Sequence, residues 1–385
     1  MSEQFDIAII GGGPVGTALA LALRDSGLNI VVLEARKPEQ QNADPRALAL
    51  SYGSRLLLDK LGVWKQIEQV SFIKTIHVSQ KDTPGITVLY AAEMKVPELG
   101  YVLPYPALQT ALHQTLLHTG VTYLKEAEVS RLDSAAEGAT LTYQHEGRER
   151  QLEARLAVVA DGGKLLETSH PPKVSEYGQA SVIAHITCAT PQAGTAFERF
   201  TAQGPVALLP YKEGYEIVWT GSHEQAKEML QWDDATFLAQ LHRHFGDAVG
   251  TFLSVGKRSS FPLRLKRAPD TTLPHTVLIG NAAQTLHPVA GQGFNMGVRD
   301  AWELARVILR AQPAALGSAP MLANYRRSRC IDRNAGIGFT DGLVRIFSND
   351  LPVLSNGRGW AISVLDRLPF AKKFVAKRMM FGANG

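Results

Sequence analysis

The first 34 residues follow the pattern of two buried strands separated by a helix. Phe5–Ile10 is a short apolar run typical of a buried parallel strand, and the small and apolar residues of Val15–Arg24 predict a helix. A second apolar run, Ile30–Leu33, ends at Glu34, and the glycine-rich segment Gly11–Gly16 joins the first strand to the helix. The pattern predicts a strand, helix, strand unit of minimum length.

Farther along the chain, helical patterns and alternating patterns occupy separate blocks. Helical patterns cover residues 47–64, 105–118, 224–246 and 294–310. Strand patterns cover residues 72–103, 121–132, 139–145, 157–160, 175–262 and 276–280. The two longest strand blocks alternate apolar with polar positions, which indicates antiparallel sheet. The last block is an apolar strand followed by a glycine-rich loop and a helix, which is typical of a parallel α/β fold.

These blocks predict an α/β fold in which a Rossmann-like nucleotide-binding domain is interrupted by a mostly antiparallel β-sheet domain. The nucleotide-binding domain would comprise residues 1–71, 104–174 and 263–345, and the inserted domain residues 72–103 and 175–262. Residues 346–385 would form a C-terminal basic helical segment, since residues 351–385 carry six Lys or Arg against one Asp.

Composition narrows the class of protein. The chain has 385 residues, 45% of them apolar and 20% charged, which excludes disorder, collagen and coiled coil. A net charge of +4 argues against a nucleic-acid partner, and two cysteines without zinc-type spacing predict no disulfide framework and no metal site. The apolar run Ile7–Leu23 is broken by Gly11–Pro14, which excludes a signal peptide. We expect a cytoplasmic protein.

The first glycine motif has the spacing of a dinucleotide-binding loop. Gly11 permits the tight turn, Gly13 lets a pyrophosphate approach the backbone, and Gly16 allows close packing of helix on strand. The helix N-terminus offers free N–H groups, and Glu34 at the end of the next strand can accept the hydroxyls of an adenosine ribose. The motif alone does not separate NAD from FAD.

A second glycine-rich segment, Leu278–Gly297, favours a flavin. A helix that begins in this segment directs its N-terminus at the loop, where it would stabilise the negative charge of a reduced flavin ring. The alternative is a surface loop before an amphipathic helix whose apolar side packs on the core.

Taken together, the motifs resemble the FAD-dependent aromatic hydroxylases of the para-hydroxybenzoate hydroxylase superfamily. That family has a GxGxxG, an Asp-Gly and a Gly-Asp motif in this order, as Gly11–Gly16, Asp161-Gly162 and Gly280-Asn281 stand here. The segments that resemble the ubiquinone-biosynthesis branch are Asp44–Ser51, Phe197–Phe200 with Gly204-Pro205 and Leu209-Pro210, and Gly280–Asp300. Within that branch, Gly280–Pro288 is similar to the 2-polyprenyl-6-methoxyphenol hydroxylases. The resemblance spans about residues 4–345.

The resemblance implies cofactor contacts. Arg46 would lie along the FAD pyrophosphate, Gln109 would contact the ribityl chain, and His287-Pro288 with Gly291, Gln292, Gly293, Phe294 and Asn295 would line the isoalloxazine. Asp161 belongs to a motif associated with FAD and with the nicotinamide donor, although Gly163 stands where many relatives have Ser. Asn281 replaces the ribityl-binding Asp of most relatives and keeps its hydrogen-bonding reach. His287 is also the candidate acid or base, although the flavin carries the chemistry, and the alternative is a histidine that packs beside the cofactor without a proton role. For Arg46 the alternative is a solvated loop arginine, and for Gln109 an exposed helix residue.

The resemblance also implies the reaction. FAD would be reduced by NAD(P)H and would react with O₂ to a C4a-hydroperoxide that hydroxylates a phenol ring. The inserted sheet would then be the substrate domain. Candidate pocket residues are Phe200, Leu208, Leu209, Pro210 and Trp219, with core packing as the alternative for each.

We therefore expect a flavin monooxygenase that hydroxylates a lipophilic polyprenylated methoxyphenol in ubiquinone biosynthesis. The rivals are a sister enzyme that acts on another ring carbon, a flavin reductase or dehydrogenase of an isoprenoid, and an FAD-containing assembly subunit with little turnover. The basic tail could dock on the inner face of the cytoplasmic membrane or on a partner of the same pathway; alternatively, it closes the FAD domain with a solvated face.

Overall fold

The computed structural model describes residues 3–37, 44, 46–134, 137–288, 291–347, 363–364 and 366–383. The helices are α1 Pro14–Leu23, α2 Tyr52–Lys60, α3 Ala91–Met94, α4 Tyr105–Leu117, α5 His223–Gln231, α6 Asp234–Phe245, α7 Gln292–Arg310, α8 Ala319–Phe347 and α9 Pro369–Phe381. Short 3₁₀ helices cover Trp64–Gln66, Gly246–Val249, Gly280–Ala282 and Pro313–Ala315.

Twenty strands are distributed over three sheets in the described part of the chain. The first ten are β1 Glu3–Ile10, β2 Ile30–Glu34, β3 Ala47–Ser51, β4 Ser71–Ile73, β5 Thr75–Gln80, β6 Ile86–Tyr90, β7 Gly100–Pro104, β8 Thr122–Lys125, β9 Glu128–Ser134 and β10 Ala139–His145. The others are β11 Arg148–Val159, β12 Lys173–Cys188, β13 Thr195–Thr201, β14 Gly204–Tyr211, β15 Gly214–Ser222, β16 Phe252–Val255, β17 Ser259–Arg267, β18 Thr272–Leu273, β19 Thr276–Leu278 and β20 Gln284–Thr285.

The nucleotide-type sheet has the strand order β18-β19-β11-β1-β2-β8, with β10 and β9 continuing from β11. Strands β19, β11, β1, β2 and β8 are parallel, because helical or long connections join them. Alternate residues of β1 face opposite sides: Ile7 and Ile9 pack toward α1 and α4, whereas Ala8 and Ile10 pack toward β10. The sheet is therefore buried on both faces, and its strands read as continuous apolar runs.

The large sheet has the order β20-β17-β12-β15-β14-β13-β5-β6, with β16 beside β12. One face packs on α5 and α6 around Trp219 and Phe237. All its described pairs are antiparallel except β13 with β5. These two strands come from distant chain segments, so no hairpin fixes their relative direction, and the sheet is mixed rather than purely antiparallel.

The helical pattern predicted for residues 47–64 is wrong at its start. Residues Ala47–Ser51 form β3, which pairs with β7 in a small antiparallel sheet together with β4. The helix begins at Tyr52, where the Ser51 hydroxyl accepts a hydrogen bond from the backbone N–H of Ser54. Leucine and alanine favour helix locally, but pairing with β7 supplies backbone hydrogen bonds that the sequence pattern does not show.

A buried charge network connects α7 with α8. The Arg329 guanidinium lies 2.7 Å from an oxygen of Asp300 and 2.6 Å from Asp332, and Arg299 lies 2.8 Å from Asp332. Asp300 also accepts hydrogen bonds from the Gly280 backbone N–H (3.1 Å) and the Gln284 amide (2.8 Å). Helix packing and the second glycine-rich segment are thereby linked through one carboxylate.

The C-terminal helix α9 packs against β6 and against the segment that leads into β7. Ala376 and Met380 join a small core with Leu89 and Leu99, and the Lys372 ammonium lies 3.4 Å from Asp366 and 3.2 Å from Glu93. Within the described ranges, no helix combines the length and apolar character needed to cross a bilayer. The fold is α/β, with a parallel sheet of Rossmann type beside a large mixed sheet; the predicted domain boundaries stay a prediction.

Candidate functional site

A cavity of about 1180 Å³ lies where the two large sheets meet. Its lining runs from the first glycine loop, past the second glycine-rich segment, to one face of the large sheet. Ordinary small-molecule pockets measure about 300–1,000 Å³, so this cavity can hold a large cofactor together with part of a second ligand. We call the side of the large sheet that borders it the cavity face.

The first glycine loop has the geometry that a pyrophosphate requires. Gly11 has φ +108°, and a Cβ on it would lie 2.6 Å from the Ala160 carbonyl oxygen. A Cβ on Gly16 would overlap the Gly11 carbonyl. Gly13 instead borders the cavity, with only the Arg36 guanidinium near its missing side chain, at 3.8 Å. The loop thus brings bare backbone and the α1 N-terminus to the cavity wall.

Glu34 ends β2 beside this loop. It is 3% exposed, lines the cavity and accepts hydrogen bonds from the Arg36 backbone N–H (2.8 Å), Nε (2.9 Å) and Nη2 (3.0 Å). Arg36 compensates the buried charge, while a carboxylate with about four lone-pair sites retains capacity for ribose hydroxyls.

The second glycine-rich segment is fixed in place by Asn295. Its side-chain oxygen accepts from the Ser51 N–H (2.8 Å), and its amide donates to the carbonyls of Ala49 (3.0 Å) and Gly291 (2.7 Å). Gly291 caps α7 with φ +60°, and a Cβ there would lie 2.8 Å from the Ala49 Cβ. The structure therefore holds the N-terminus of the long helix α7 at the cavity.

The other residues predicted for this region also border the cavity. Asn281 is exposed to it, and Gly293 and Phe294 line it. Gln292 lines it as well and donates to the Met379 carbonyl of α9 at 3.4 Å. Asp161 lines the cavity, although its carboxylate already accepts from the N–H groups of Gly163 (2.8 Å) and Leu165 (2.7 Å) and so shapes its own loop.

Arg46 and Gln109 have different positions. Arg46 lines the cavity, forms an ion pair with Asp44, and lies with its guanidinium carbon 5.4 Å from the centre of the Phe261 ring. Gln109 is 1% exposed and is not part of the lining; its amide donates to the Gly12 carbonyl at 2.8 Å. The structure thus places Gln109 behind the first glycine loop, which it supports, and not at the position expected for a ribityl contact.

His287 lines the cavity but is only 1% exposed. Its ring meets the Tyr177 ring edge to face, with centroids 5.4 Å apart. Burial lowers the pKa of His287 to about 4, so its imidazole is neutral at physiological pH. A neutral, tightly packed histidine fits the packing alternative better than an acid or base role.

The five predicted pocket residues fall on two sides of the large sheet. Phe200 and Leu209 lie on the cavity face. Leu208 and Trp219 point the other way, into the core under α5 and α6. Pro210 follows Leu208 by two positions on β14, so it shares that face and does not line the cavity either. Strand alternation explains the correction, because adjacent residues point to opposite faces.

Sequence reasoning missed several cavity residues. Glu198 and Glu216 lie on the cavity face, and Val375 and Met379 reach the cavity from α9. The signal for Glu198 was present, because it precedes Phe200 by two positions on a strand and must share its face. Nothing in the sequence pattern indicated that the C-terminal helix contributes to the same cavity.

These features fit FAD. Two glycines carry backbone where a Cβ would collide, the helix α1 N-terminus and Glu34 stand at one end of the cavity, and the α7 N-terminus stands farther along it. This combination suits a dinucleotide whose diphosphate, ribose and electron-accepting ring are bound at separate points.

Comparison with known proteins agrees with this geometry. Residues 4–330 match the family described as FAD binding domain. The chain is 32% identical to ubiquinone hydroxylase UbiL of Rhodospirillum rubrum, covering 97% of this chain and 89% of that one, and 30% identical to 3-demethoxyubiquinol 3-hydroxylase of Escherichia coli, covering 98% of each. It is 35% identical to an uncharacterized protein of Synechocystis, over 100% and 94% of the two chains.

The fold recurs in a solved structure, p-nitrophenol 4-monooxygenase of Pseudomonas putida, with a TM-score of 0.81 at 16% identity and full coverage of both chains. Fold and cavity together define an FAD-binding protein of the aromatic hydroxylase type. The chain belongs to the FAD-dependent aromatic hydroxylases of the ubiquinone-biosynthesis branch.

Proposed function

We propose that this enzyme hydroxylates the ring of a polyprenylated methoxyphenol in ubiquinone biosynthesis, with NAD(P)H as electron donor and O₂ as co-substrate. One observation carries the proposal: a single cavity joins the flavin-type loops to an apolar sheet face. Relatives named as ubiquinone-pathway hydroxylases support the same class of substrate.

The chain's own residues would bind and orient the reactants. Gly13 would admit the pyrophosphate, in a loop that Gly11 and Gly16 shape, with Arg46 beside it. Glu34 would bind the ribose, Asp161 would border FAD, Asn281 would bind the ribityl chain, and Gly291–Asn295 would meet the ring. When bound, FAD supplies the activation of O₂ for insertion of one oxygen atom. The largely apolar cavity face would keep water away from the bound reactants and would orient the phenol toward the flavin ring.

An apolar part of the cavity suits a prenyl chain. Phe339 and Leu343 of α8 and Val375 and Met379 of α9 line it, and nearby on α9 Phe370 is 85% exposed. Such apolar walls leave a hydrocarbon chain in contact with other apolar groups instead of water.

Exposed apolar and basic side chains share the surface of α9. Phe370 and Phe374 are 85% and 52% exposed, and Lys373 and Lys377 are exposed on the same helix. Aromatic and basic side chains together are typical of a helix that lies on an anionic lipid surface. We propose that α9 docks there, so that a lipophilic phenol enters the cavity from the membrane.

The activity is tested by oxygen consumption of the FAD-loaded protein with NAD(P)H, with and without 2-methoxy-6-prenylphenol. We expect substrate-dependent oxygen uptake and a product heavier by one oxygen atom in mass spectrometry. Uptake without a hydroxylated product would contradict the substrate, and absence of flavin reduction would contradict the donor.

A sister hydroxylase is the second candidate, because one relative is named a 3-demethoxyubiquinol 3-hydroxylase. Nuclear magnetic resonance of the product separates the two by the carbon that carries the new hydroxyl. In 2-methoxy-6-prenylphenol the free carbon that the phenol activates lies opposite its oxygen, so a new hydroxyl on any other ring carbon would favour the sister activity.

Membrane docking is tested with the double variant Phe370→Ser and Phe374→Ser. We expect weaker sedimentation with phosphatidylserine vesicles and unchanged FAD content. Leu253→Ser is the matched control, because Leu253 is 60% exposed on β16, away from α9. Equal sedimentation of the double variant and wild type would contradict docking through this helix.

A further inference from the structure

Glu198 is a carboxylate in an otherwise apolar stretch of the cavity face. It lies in β13, paired with Val78 of β5 on one side and Ala207 of β14 on the other. The row continues through Val218 of β15 to Ile183 of β12. All five residues line the cavity. The carboxylate thus stands among aliphatic side chains, facing the space assigned to the substrate.

The structure gives Glu198 no polar partner. Among the described residues, no hydrogen bond or ion pair involves its carboxylate, and neither neighbouring strand presents a titratable group to it. The residues of β5 and β14 that line the cavity are Ile76, Val78, Pro205, Ala207 and Leu209. An acid that serves the fold alone would be paired, since unpaired buried charge costs stability.

The charged or titratable groups elsewhere around this part of the cavity have partners or packing of their own. Glu216 lies 3.0 Å from His185, and Asp366, which accepts from Thr87 at 2.9 Å, lies 3.4 Å from Lys372. His287 packs on Tyr177, and Arg46 pairs with Asp44. Glu198 therefore differs from them in being left for a ligand.

We propose that the Glu198 carboxylate accepts the hydrogen bond, and during reaction the proton, of the substrate's phenolic hydroxyl. This inference rests on the proposed function. The phenol O–H bond breaks as a carboxyl O–H bond forms, and no electrons leave either group. The phenol oxygen gains electron density, which makes the ring carbons beside and opposite it more reactive toward an electrophilic oxygen. The ring regains its aromatic form when the hydroxylated carbon loses its C–H proton to solvent water, and the Glu198 carboxyl group then returns its proton to the original phenol oxygen.

The basicity of the group suits this step. Burial raises the pKa of Glu198 to about 7, from an ordinary value near 4.5. A rise of that size makes the carboxylate about 300-fold more basic and brings it closer to the pKa of a phenol, about 10. A base that titrates near the working pH is also present in its ionised form there.

Binding to the oxidised, FAD-loaded enzyme tests the assignment without turnover. The two probes are 2-methoxy-6-prenylphenol and its O-methyl ether, titrated by flavin absorbance from pH 5.5 to 8.5. For wild type we expect the affinity for the phenol to increase about 10-fold through pH 7, as the carboxylate ionises, and the affinity for the ether not to increase. Glu198→Gln should abolish the increase, and Glu198→Asp should keep part of it.

Turnover provides the second measurement. Glu198→Gln should lower kcat by about 10²–10⁴-fold, the usual contribution of a general base, and remove the limb of the pH profile near 7. A ring-fluorinated, more acidic phenol should lose less activity, because it needs the base less. Glu213→Gln is the matched control, since Glu213 is exposed in a turn of the same sheet and the substitution removes the same charge.

The outcomes separate this assignment from the proposed function. A wild type that binds and hydroxylates the phenol, with Glu198→Gln unchanged in both, would overturn the role of Glu198 alone. A wild type that binds neither probe would overturn the substrate class and this assignment with it. FAD content should be equal in all variants, because no loop assigned to FAD contains Glu198.

Discussion

Gly13 and Gly11 lie two residues apart but would respond differently to a side chain. Gly13 has an extended backbone, with φ −69° and ψ 177°, and its missing side chain points to open cavity. Gly11 has a positive φ, and a Cβ on it would lie 2.6 Å from the Ala160 carbonyl oxygen. A side chain at 13 would therefore obstruct the cofactor, whereas one at 11 would strain the fold.

We expect the free energy of unfolding of Gly13→Val to lie within about 1 kcal/mol of that of the wild-type apoprotein. The variant should nevertheless be purified without flavin. The measurements are urea unfolding and the flavin absorbance of the purified protein. Gly120→Val is the control, because Gly120 is exposed with nothing near its missing side chain. Normal flavin content in Gly13→Val would contradict the pyrophosphate assignment.

We expect Glu34→Gln to raise the dissociation constant of FAD by about 10-fold or more, because hydrogen bonds to a charged acceptor contribute about 1.5–3 kcal/mol each. Flavin fluorescence quenching on binding to the apoprotein measures it. Glu137→Gln serves as the control, since Glu137 is an exposed acid. Equal affinity in wild type and Glu34→Gln would argue that Glu34 serves only its ion pair with Arg36.

At the residue level, the sequence predicts which residues line the cavity better where a motif fixes the backbone than where hydrophobicity is the only signal. The glycines, Glu34 and Asn295 lie in motifs whose spacing determines their position, and the structure brings them to one cavity. For Leu208 and Trp219 the sequence shows only apolar character, which core residues and pocket residues share equally. Only the register of β14 and β15 separates those two environments.

At the level of elements, α7 and α8 depend on the charge network around Arg329. Because Arg329 is 4% exposed between Asp300 and Asp332, removing it would leave the buried Asp300 carboxylate without an ion pair and Asp332 with Arg299 alone. We expect Arg329→Met to lower the free energy of unfolding by about 3–5 kcal/mol. Chemical denaturation measures this change.

The control for this network is Arg306→Met on α7, the helix that carries Asp300. Arg306 pairs with Glu303 at 2.8 Å but is largely exposed, so its loss should cost less than about 1 kcal/mol. Equal effects of the two substitutions would contradict the importance of the buried network.

The elements that the sequence mispredicted are those that rely on distant partners. Residues 47–51 resemble a helix start, but β7, some fifty residues later, recruits them into a sheet. The parallel pair of β13 with β5 likewise joins segments that no local pattern relates. Local periodicity records which residues are apolar, whereas strand pairing is decided by what else lies nearby.

For the whole molecule, acid sensitivity should follow from buried histidines. Burial lowers the pKa of His287 to about 4, and burial together with Lys81 and Arg199 lowers that of His244 to about 4. Each histidine binds a proton more readily when unfolded, so it contributes stability above pH 6.5 that is lost as the pH falls toward 4.

We expect the free energy of unfolding to rise between pH 4 and 6.5, with up to about 3 kcal/mol of the rise due to His287. In His287→Gln that part of the rise should disappear. Urea unfolding at a series of pH values, at fixed FAD concentration, measures it, and exposed His118→Gln is the control. The same slope in His287→Gln as in wild type would contradict the assignment.

The sequence by itself determined the flavin half of this protein. Its glycine spacing, the acid after the second strand and the loop before α7 require particular backbone shapes, and such local requirements are visible in the order of residues. Only the tertiary structure decided how the rest of the cavity is built. Which residues of the large sheet face the cavity, and how α9 closes it, depends on strand register and on packing between distant segments. Glu198 illustrates both: the sequence shows that the residue is acidic, but only the structure shows that its carboxylate lies among apolar side chains of the cavity face without a polar partner among the described residues.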